Sequence, residues 1–225
     1  MAVKGAKSSI SQRRVLDAAA RIFRDSGYAG TTMRAVADEA GLQAGSLYYH
    51  YKGKDELISA VLDSGVSQVA TLVKDALAAL PATATGRQRI ETAIEAHIAA
   101  IIAVGDYTLA TRRVFGQVPQ AIRTRHMRLR DAYGAFWDQL FEDVRAAGEM
   151  RPDADLKLCR LFVLGALNWT AEWYKPGAAS IHDIAGTFGT LVLDGLLQPA
   201  PQPASRGRAR APRGSDHALL STAAR

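Results

Sequence analysis

Apolar residues recur at three- and four-residue spacing along nearly the whole chain, and no alternating run exceeds about four residues, so the pattern predicts an all-α protein. A first helix is predicted over residues 11–26, with Val15, Ala18, Ala19, Ile22 and Phe23 on one face and Gly27 just past its end, where a left-handed turn is expected. A short second helix opens at Thr31 or Thr32, whose hydroxyl can cap free backbone N–H groups. It turns Met33, Val36, Ala37 and Ala40 inward before Gly41 stops it. A third short helix covers residues 44–50, and a fourth runs over 54–80 until Pro81 ends it.

Five more helices are predicted over 87–104, 106–117, 119–147, 153–174 and 180–197, about nine in all. Gly105 breaks the pattern, with Asp106 placed as the next N-cap, and Ser180 with Asp183 resembles a capping box. In the last helix Ile181, Ile184, Phe188, Leu191 and Gly195 share a face. From Pro199 onward Pro, Ala, Arg, Ser and Gly dominate, with too little apolar surface to offset ordering entropy. The expected division is a flexible N-terminus over 1–10, a head over 11–62, a body over 63–198 and a disordered basic tail over 199–225.

Composition adds exclusions. With 225 residues, 48% hydrophobic and 22% charged, the chain can bury a sizeable core. No apolar run approaches the roughly 18 to 20 uncharged residues of a membrane span, and the N-terminus lacks the apolar segment of a secretory signal. A cytoplasmic protein with no membrane partner is expected. One cysteine, Cys159, rules out an internal disulfide and a thiolate zinc site. The net charge of +6 is unevenly placed: residues 1–62 hold nine basic against six acidic side chains, residues 63–198 fourteen against fifteen, and residues 199–225 five against one. A basic head on a neutral body suits phosphate contact by the head, because phosphate neutralisation supplies most non-specific DNA affinity.

The stretch 31–57, TTMRAVADEAGLQAGSLYYHYKGKDEL, carries the chemistry. Two short helices around a tight turn at Gly41 are what a helix-turn-helix requires. Leu47 and Tyr51, four apart, anchor the second helix, while Gln43, Ala44, Ser46, Tyr48, Tyr49 and His50 offer small, polar and aromatic groups to a major groove. For Lys54 a phosphate contact and a solvated charge both stay open, and for His50 a groove contact and a structural role. No HExxH, G-x-S-x-G, Walker A or dinucleotide-binding pattern occurs, and His97, His126, His182 and His217 are not spaced as a metal cluster. Neither an enzyme, a cofactor nor a metal is expected.

Residues 11–62 closely resemble the N-terminal domain of the TetR family of bacterial transcriptional regulators. They carry RVLDAAARIFRDSGYAGTTMRAVADEAGL and then the fixed spacing of Gly41, Gly45, Leu47, Tyr48, His50, Tyr51, Lys54, Glu56 and Leu57. The resemblance implies that Gln43, Ala44, Ser46, Tyr48, Tyr49 and His50 face the groove, and that Thr32, Arg34, Tyr49 and Lys54 grip phosphates. It also implies an effector pocket in the body and a homodimer through the last two helices, with Leu161, Leu164, Leu167, Phe188, Leu191 and Leu197 among small residues Gly165, Ala166, Gly189 and Gly195. A repressor of a double-stranded DNA operator, released when a small molecule displaces the fourth helix, is the expected function.

Most aromatic residues of the body read as core. His97, Arg112, Phe115, Trp137, Asn168, Trp169 and Trp173 are the candidate effector contacts, because an apolar cavity with a few directed polar groups orients a small ligand. The segment 168–177, NWTAEWYKPG, resembles the eighth-helix ending of TetR-type regulators that sense acyl-CoA thioesters, which points to an acyl-CoA or other lipid-derived effector. Arg112, Arg113, Arg123, Arg125, Arg128 and Arg130 either meet the phosphates of such a ligand or form a solvated face. Two rivals remain: a regulator without an effector, whose body would be solid, and one docking a protein partner on an exposed apolar patch.

Overall fold

The computed structural model describes residues 2–196, which form nine helices and no strand among the described residues. In chain order they are α1 (Ala2–Gly30), α2 (Met33–Glu39), α3 (Ala44–His50), α4 (Lys54–Ala78), α5 (Gly86–Ala103), α6 (Gly105–Val114), α7 (Gln120–Ala146), α8 (Leu156–Trp173) and α9 (Ile181–Leu196). The start of α1 differs from the reading above. Its backbone is helical from Ala2, so residues 2–10 continue the helix where a flexible lead-in was expected. Gly27 kinks it at φ 68°, a left-handed value that a residue with a Cβ rarely adopts, and the helix resumes as far as Gly30. The expected tail over 199–225 and Leu197 lie outside the described residues.

In the head, Val15, Ala18, Ala19 and Phe23 of α1 are buried together with Val36, Ala37 and Ala40 of α2, Leu47 of α3 and Leu57 and Ile58 of α4. Thr32 caps α2, its Oγ accepting from the Ala35 N–H at 3.1 Å. At Gly41, φ 63° reverses the chain between α2 and α3, and the Arg14 guanidinium donates to the Ala40 carbonyl at 2.8 Å to close the end of α2. The head's apolar cluster runs on without a break into the body.

The body is built around α5, whose Ile90, Ile94, Ile98 and Ile101 are buried and which packs against α4, α7, α8 and α9. Thr85 and Gln88 form a capping box at its start, each side chain bonded to the other's backbone N–H. Helix α4, with 25 residues and a mean hydropathy of 1.2 in its most apolar stretch, is long and apolar enough to cross a membrane by length and composition. Its apolar face is spent on the core, since Leu57, Ile58, Val61, Leu62, Val69 and Val73 are buried between head and body.

Asp106 does not cap α6. Val104 takes that position, and the Asp106 carboxylate, in the first turn, is ion-paired with Arg24 of α1. Asp155 caps α8 by accepting from the Leu158 N–H at 3.0 Å, and Ser180 and Asp183 make the expected cap on α9.

Candidate DNA-recognition head and ligand cavity

Seven residues in α3 give a rod of about 10 Å, short enough to lie within a major groove. Leu47 is fully buried and Tyr51, just past the helix, is nearly so, which fixes which face turns outward. Gln43, Ala44 and Ser46 are exposed, Tyr48 and Tyr49 are 53% and 84% exposed, and His50 is half-buried with its ring edge-on to Tyr49 at 5.3 Å. Thr32 and Arg34 are exposed at the start of α2. The six predicted groove residues therefore share α3 and its N-cap, and nothing lies within 4 Å of a Cβ built on Gly45 between them.

Lys54 is differently placed. Its ammonium donates to the Tyr28 carbonyl at 2.9 Å and sits 4.4 Å from the centre of the Tyr28 ring, bracing α4 against the kinked end of α1. Tyr28 in turn donates its hydroxyl to Asp55, and the carboxylate beside it pushes the phenol up to about 12.

A cavity of about 540 Å³ opens in the body between α4, α5, α6, α7 and α8. Four of the candidate effector residues line it: His97, Arg112, Asn168 and Trp169. The other three do not. Trp137 is fully buried behind the wall, edge-on to His97 at 6.0 Å, Phe115 packs on the His126 ring at 5.7 Å, and Trp173 is exposed at the end of α8. Trp173 follows Trp169 by four residues on the same face of α8, so it is position along the helix, one turn beyond the cavity, that keeps it out of the wall.

The wall also holds Arg130, one of the arginines for which a ligand contact stayed open, and residues that spacing alone did not single out as ligand contacts, including Tyr107, His126, Tyr133 and Arg160. A signal existed for one of them, since Tyr133 with Phe136 and Trp137 forms an aromatic group at helical spacing on α7. Two of the wall's arginines are held by carboxylates, Arg112 by Glu172 at 2.9 Å and Arg160 by Asp138 at 2.7 Å. The Arg112 guanidinium also lies 4.3 Å from the centre of the Trp169 ring. Arg130 pairs with no carboxylate among the described residues, leaving its charge for the lumen. His126 is buried with neither ring nitrogen hydrogen-bonded among the described residues; burial, and then the Arg130 cation, hold its pKa below the usual histidine value.

Helix α6 joins cavity to head. Tyr107, a wall residue, donates its hydroxyl to the Asp17 carboxylate of α1 at 2.6 Å. Arg24 with Asp106, and the Gln117 side-chain oxygen accepting from the Tyr28 N–H at 3.1 Å, add two further ties.

Helix α8 also presents an apolar stripe to the surface, with Leu158, Phe162 at 69% and Trp173 exposed beside Leu161 and Trp169 at the edge of the cavity, and α9 adds Leu191 at 75%. Gly165, Gly186 and Gly195 are exposed beside them, with nothing within 4 Å of a built Cβ. Part of the set expected at a dimer interface is turned inward instead: Leu167 is fully buried in its own chain, Phe188 is half-buried against the core, and Gly189 faces Glu91.

Comparison with known proteins decides the family. Residues 15–61 match the family described as bacterial regulatory proteins, tetR family, and residues 83–196 match the tetracyclin repressor-like C-terminal domain. The chain belongs to the TetR family. It is a DNA-binding transcriptional regulator. Among its relatives is the HTH-type transcriptional repressor KstR2 of Rhodococcus jostii, 28% identical over 187 residues, which span 82% of this chain and 90% of that protein. The solved structure of the ketosteroid transcriptional regulator KstR2 of Mycobacterium tuberculosis is similar with a TM-score of 0.70 at 24% identity, covering 83% of this chain and 96% of that one. So is AibR, solved in complex with isovaleryl coenzyme A and operator DNA, with a TM-score of 0.69 at 22% identity over 81% of this chain and 98% of that one.

Proposed function

We propose that this regulator is a homodimeric repressor whose head, over residues 11–62, holds an operator until an acyl-CoA or other lipid-derived ligand enters the cavity of the body, over 63–198. The observation that carries the reading is Tyr107, which lines the cavity and bonds Asp17 of α1 at 2.6 Å, so one side chain touches both functions. A ligand that favours a different placement of α6 alters the head without touching DNA. A body with such a cavity disfavours the rival without an effector. The mixed wall supports an amphipathic anion: Val66, Val69, Ile101 and Leu164 suit an acyl group, and Arg130 suits a charged one. The repressor sense and the thioester class follow what KstR2 and AibR are named for.

The stripe on α8 and α9 supports a two-fold contact with a second copy, because small residues there let helices approach closely. Two heads then meet half-sites one helical turn, or a multiple of it, apart. DNA binding supports a place in the cytoplasm, with the chromosome.

The test is an operator duplex, selected from random sequences with the protein itself and followed by fluorescence anisotropy. Decanoyl-CoA should release it at concentrations where free CoA does not. Release by neither, with no rise in melting temperature, defeats the ligand class and leaves the regulator standing.

A further inference from the structure

The cavity carries a polar group that a plain hydrocarbon chain leaves unused. His97 of α5, Tyr133 of α7 and Asn168 of α8 meet at its wall: His97 Nδ1 lies 2.8 Å from the Tyr133 hydroxyl and Nε2 lies 3.4 Å from Asn168 Oδ1. The His97 and Tyr133 rings are stacked at 5.8 Å, and Trp137 closes the back edge-on to both. Helices from three directions hold these side chains, so their geometry is set before a ligand arrives.

Burial pushes the His97 pKa down to about 4, so near neutral pH the ring has one N–H and one bare nitrogen. With the proton on Nε2, it donates to Asn168 Oδ1, while Nδ1 accepts from the Tyr133 hydroxyl. The Asn168 amide N–H groups then have no partner among the described residues. With the proton on Nδ1, the Tyr133 hydroxyl accepts from it and its own O–H is released as a donor. Either tautomer leaves the wall with a donor that needs an oxygen.

The depth of the trio fixes which part of a ligand it meets. His97 is buried and Tyr133 and Asn168 are half-buried, whereas Arg112, Arg130 and Trp169 are exposed. A cavity of about 540 Å³ takes a drug-sized body and leaves the nucleotide of a thioester outside with the arginines. The acyl end therefore goes in first.

We propose that the effector bears a ketone or hydroxyl oxygen on the buried end of its acyl group, and that Tyr133 and Asn168, aligned by His97, select it over the unsubstituted chain. This rests on the reading that an acyl thioester enters the cavity. A site built to bond an oxygen discriminates against the analogue without it, because a buried donor is left unpaired.

The experiment compares decanoyl-CoA with decanoyl-CoA bearing a ketone next to the chain's methyl end, in release of operator DNA by the full chain. The keto ester should act at about tenfold lower concentration. In Tyr133→Phe and in Asn168→Leu the ratio between the two esters should fall to within about twofold. Because the ratio is internal to each variant, partial loss of folded protein does not move it, and Tyr133→Phe changes no more than one hydroxyl. Equal potency of the two esters on the unaltered protein overturns the oxygen preference while the thioester reading survives. An undiminished ratio in both variants overturns the assignment to this trio. If neither ester releases DNA or raises the melting temperature, the thioester reading itself fails and takes the proposal with it.

Discussion

Lys54 shows how one side chain can be asked to do two things. Its bond to the Tyr28 carbonyl makes it a brace of the head, and its place just after α3 makes it a candidate for a phosphate contact. Lys54→Ala separates these: a lost phosphate contact weakens specific and random duplexes alike and lowers the salt slope by about 0.9 for each contact, whereas a lost brace lowers the melting temperature with the slope unchanged. We expect both, read from anisotropy at several salt concentrations and from thermal unfolding. Gln43, exposed at the N-cap of α3, should instead change the order of preference among operator variants by about 1 to 3 kcal/mol when replaced by Ala. His97 gives a pH signature. Its pKa is near 4 when folded and near 6.5 when unfolded, so between those values the unfolded chain binds more protons, and stability falls as pH drops through the window. The loss approaches about 3 kcal/mol at the acid end. Urea midpoints measured from pH 7 to pH 4 should show it, and His97→Gln should flatten the profile.

In the function proposed above, coupling runs through α6 beside the fourth helix of the sequence reading: α6 contributes Tyr107 to the cavity wall and is tied to α1 by Tyr107 and Asp106, and α4 also lines the cavity and packs on α1. Tyr107→Phe keeps the ring and removes the bond to Asp17. Ligand should still raise the melting temperature of this variant, while the concentration that releases DNA rises about 5- to 10-fold. Equal release by both proteins would move the coupling elsewhere. On α8, Phe162→Glu places a charge in the exposed stripe and should give a monomer in light scattering with the head still folded; a persistent dimer would put the interface on another face. Most helices were legible in the sequence because period and punctuation coincide: Thr32, Gly41, Pro81 and Ser180 each mark an end that the structure keeps. Phase within a helix was legible for α3, where Leu47 and Tyr51 declare the inner face. It failed for α8 and α9, since a helix apolar on two sides does not say which side meets its own chain. Leu167 and Phe188 went inward and Phe162 and Leu191 outward for that reason. The cavity wall was half legible. Tyr107 and Arg160 reach it through packing between helices far apart in sequence, which spacing along one helix does not encode.

Head and body share one continuous apolar cluster, so the molecule responds as a unit and the head is no free module on a string. Binding at the cavity and binding at the operator must then oppose each other by one reciprocal factor: a ligand that weakens DNA binding is held more weakly by the same factor when DNA is bound. The direct measurement is a two-way titration with the selected operator duplex and decanoyl-CoA, reading the DNA dissociation constant with and without ester by anisotropy, and the ester's dissociation constant with and without DNA by calorimetry. The account predicts that the ester raises the DNA constant, that DNA raises the ester constant by an equal factor, and that free CoA moves neither. An ester that binds in the cavity and leaves the DNA constant unchanged would contradict it.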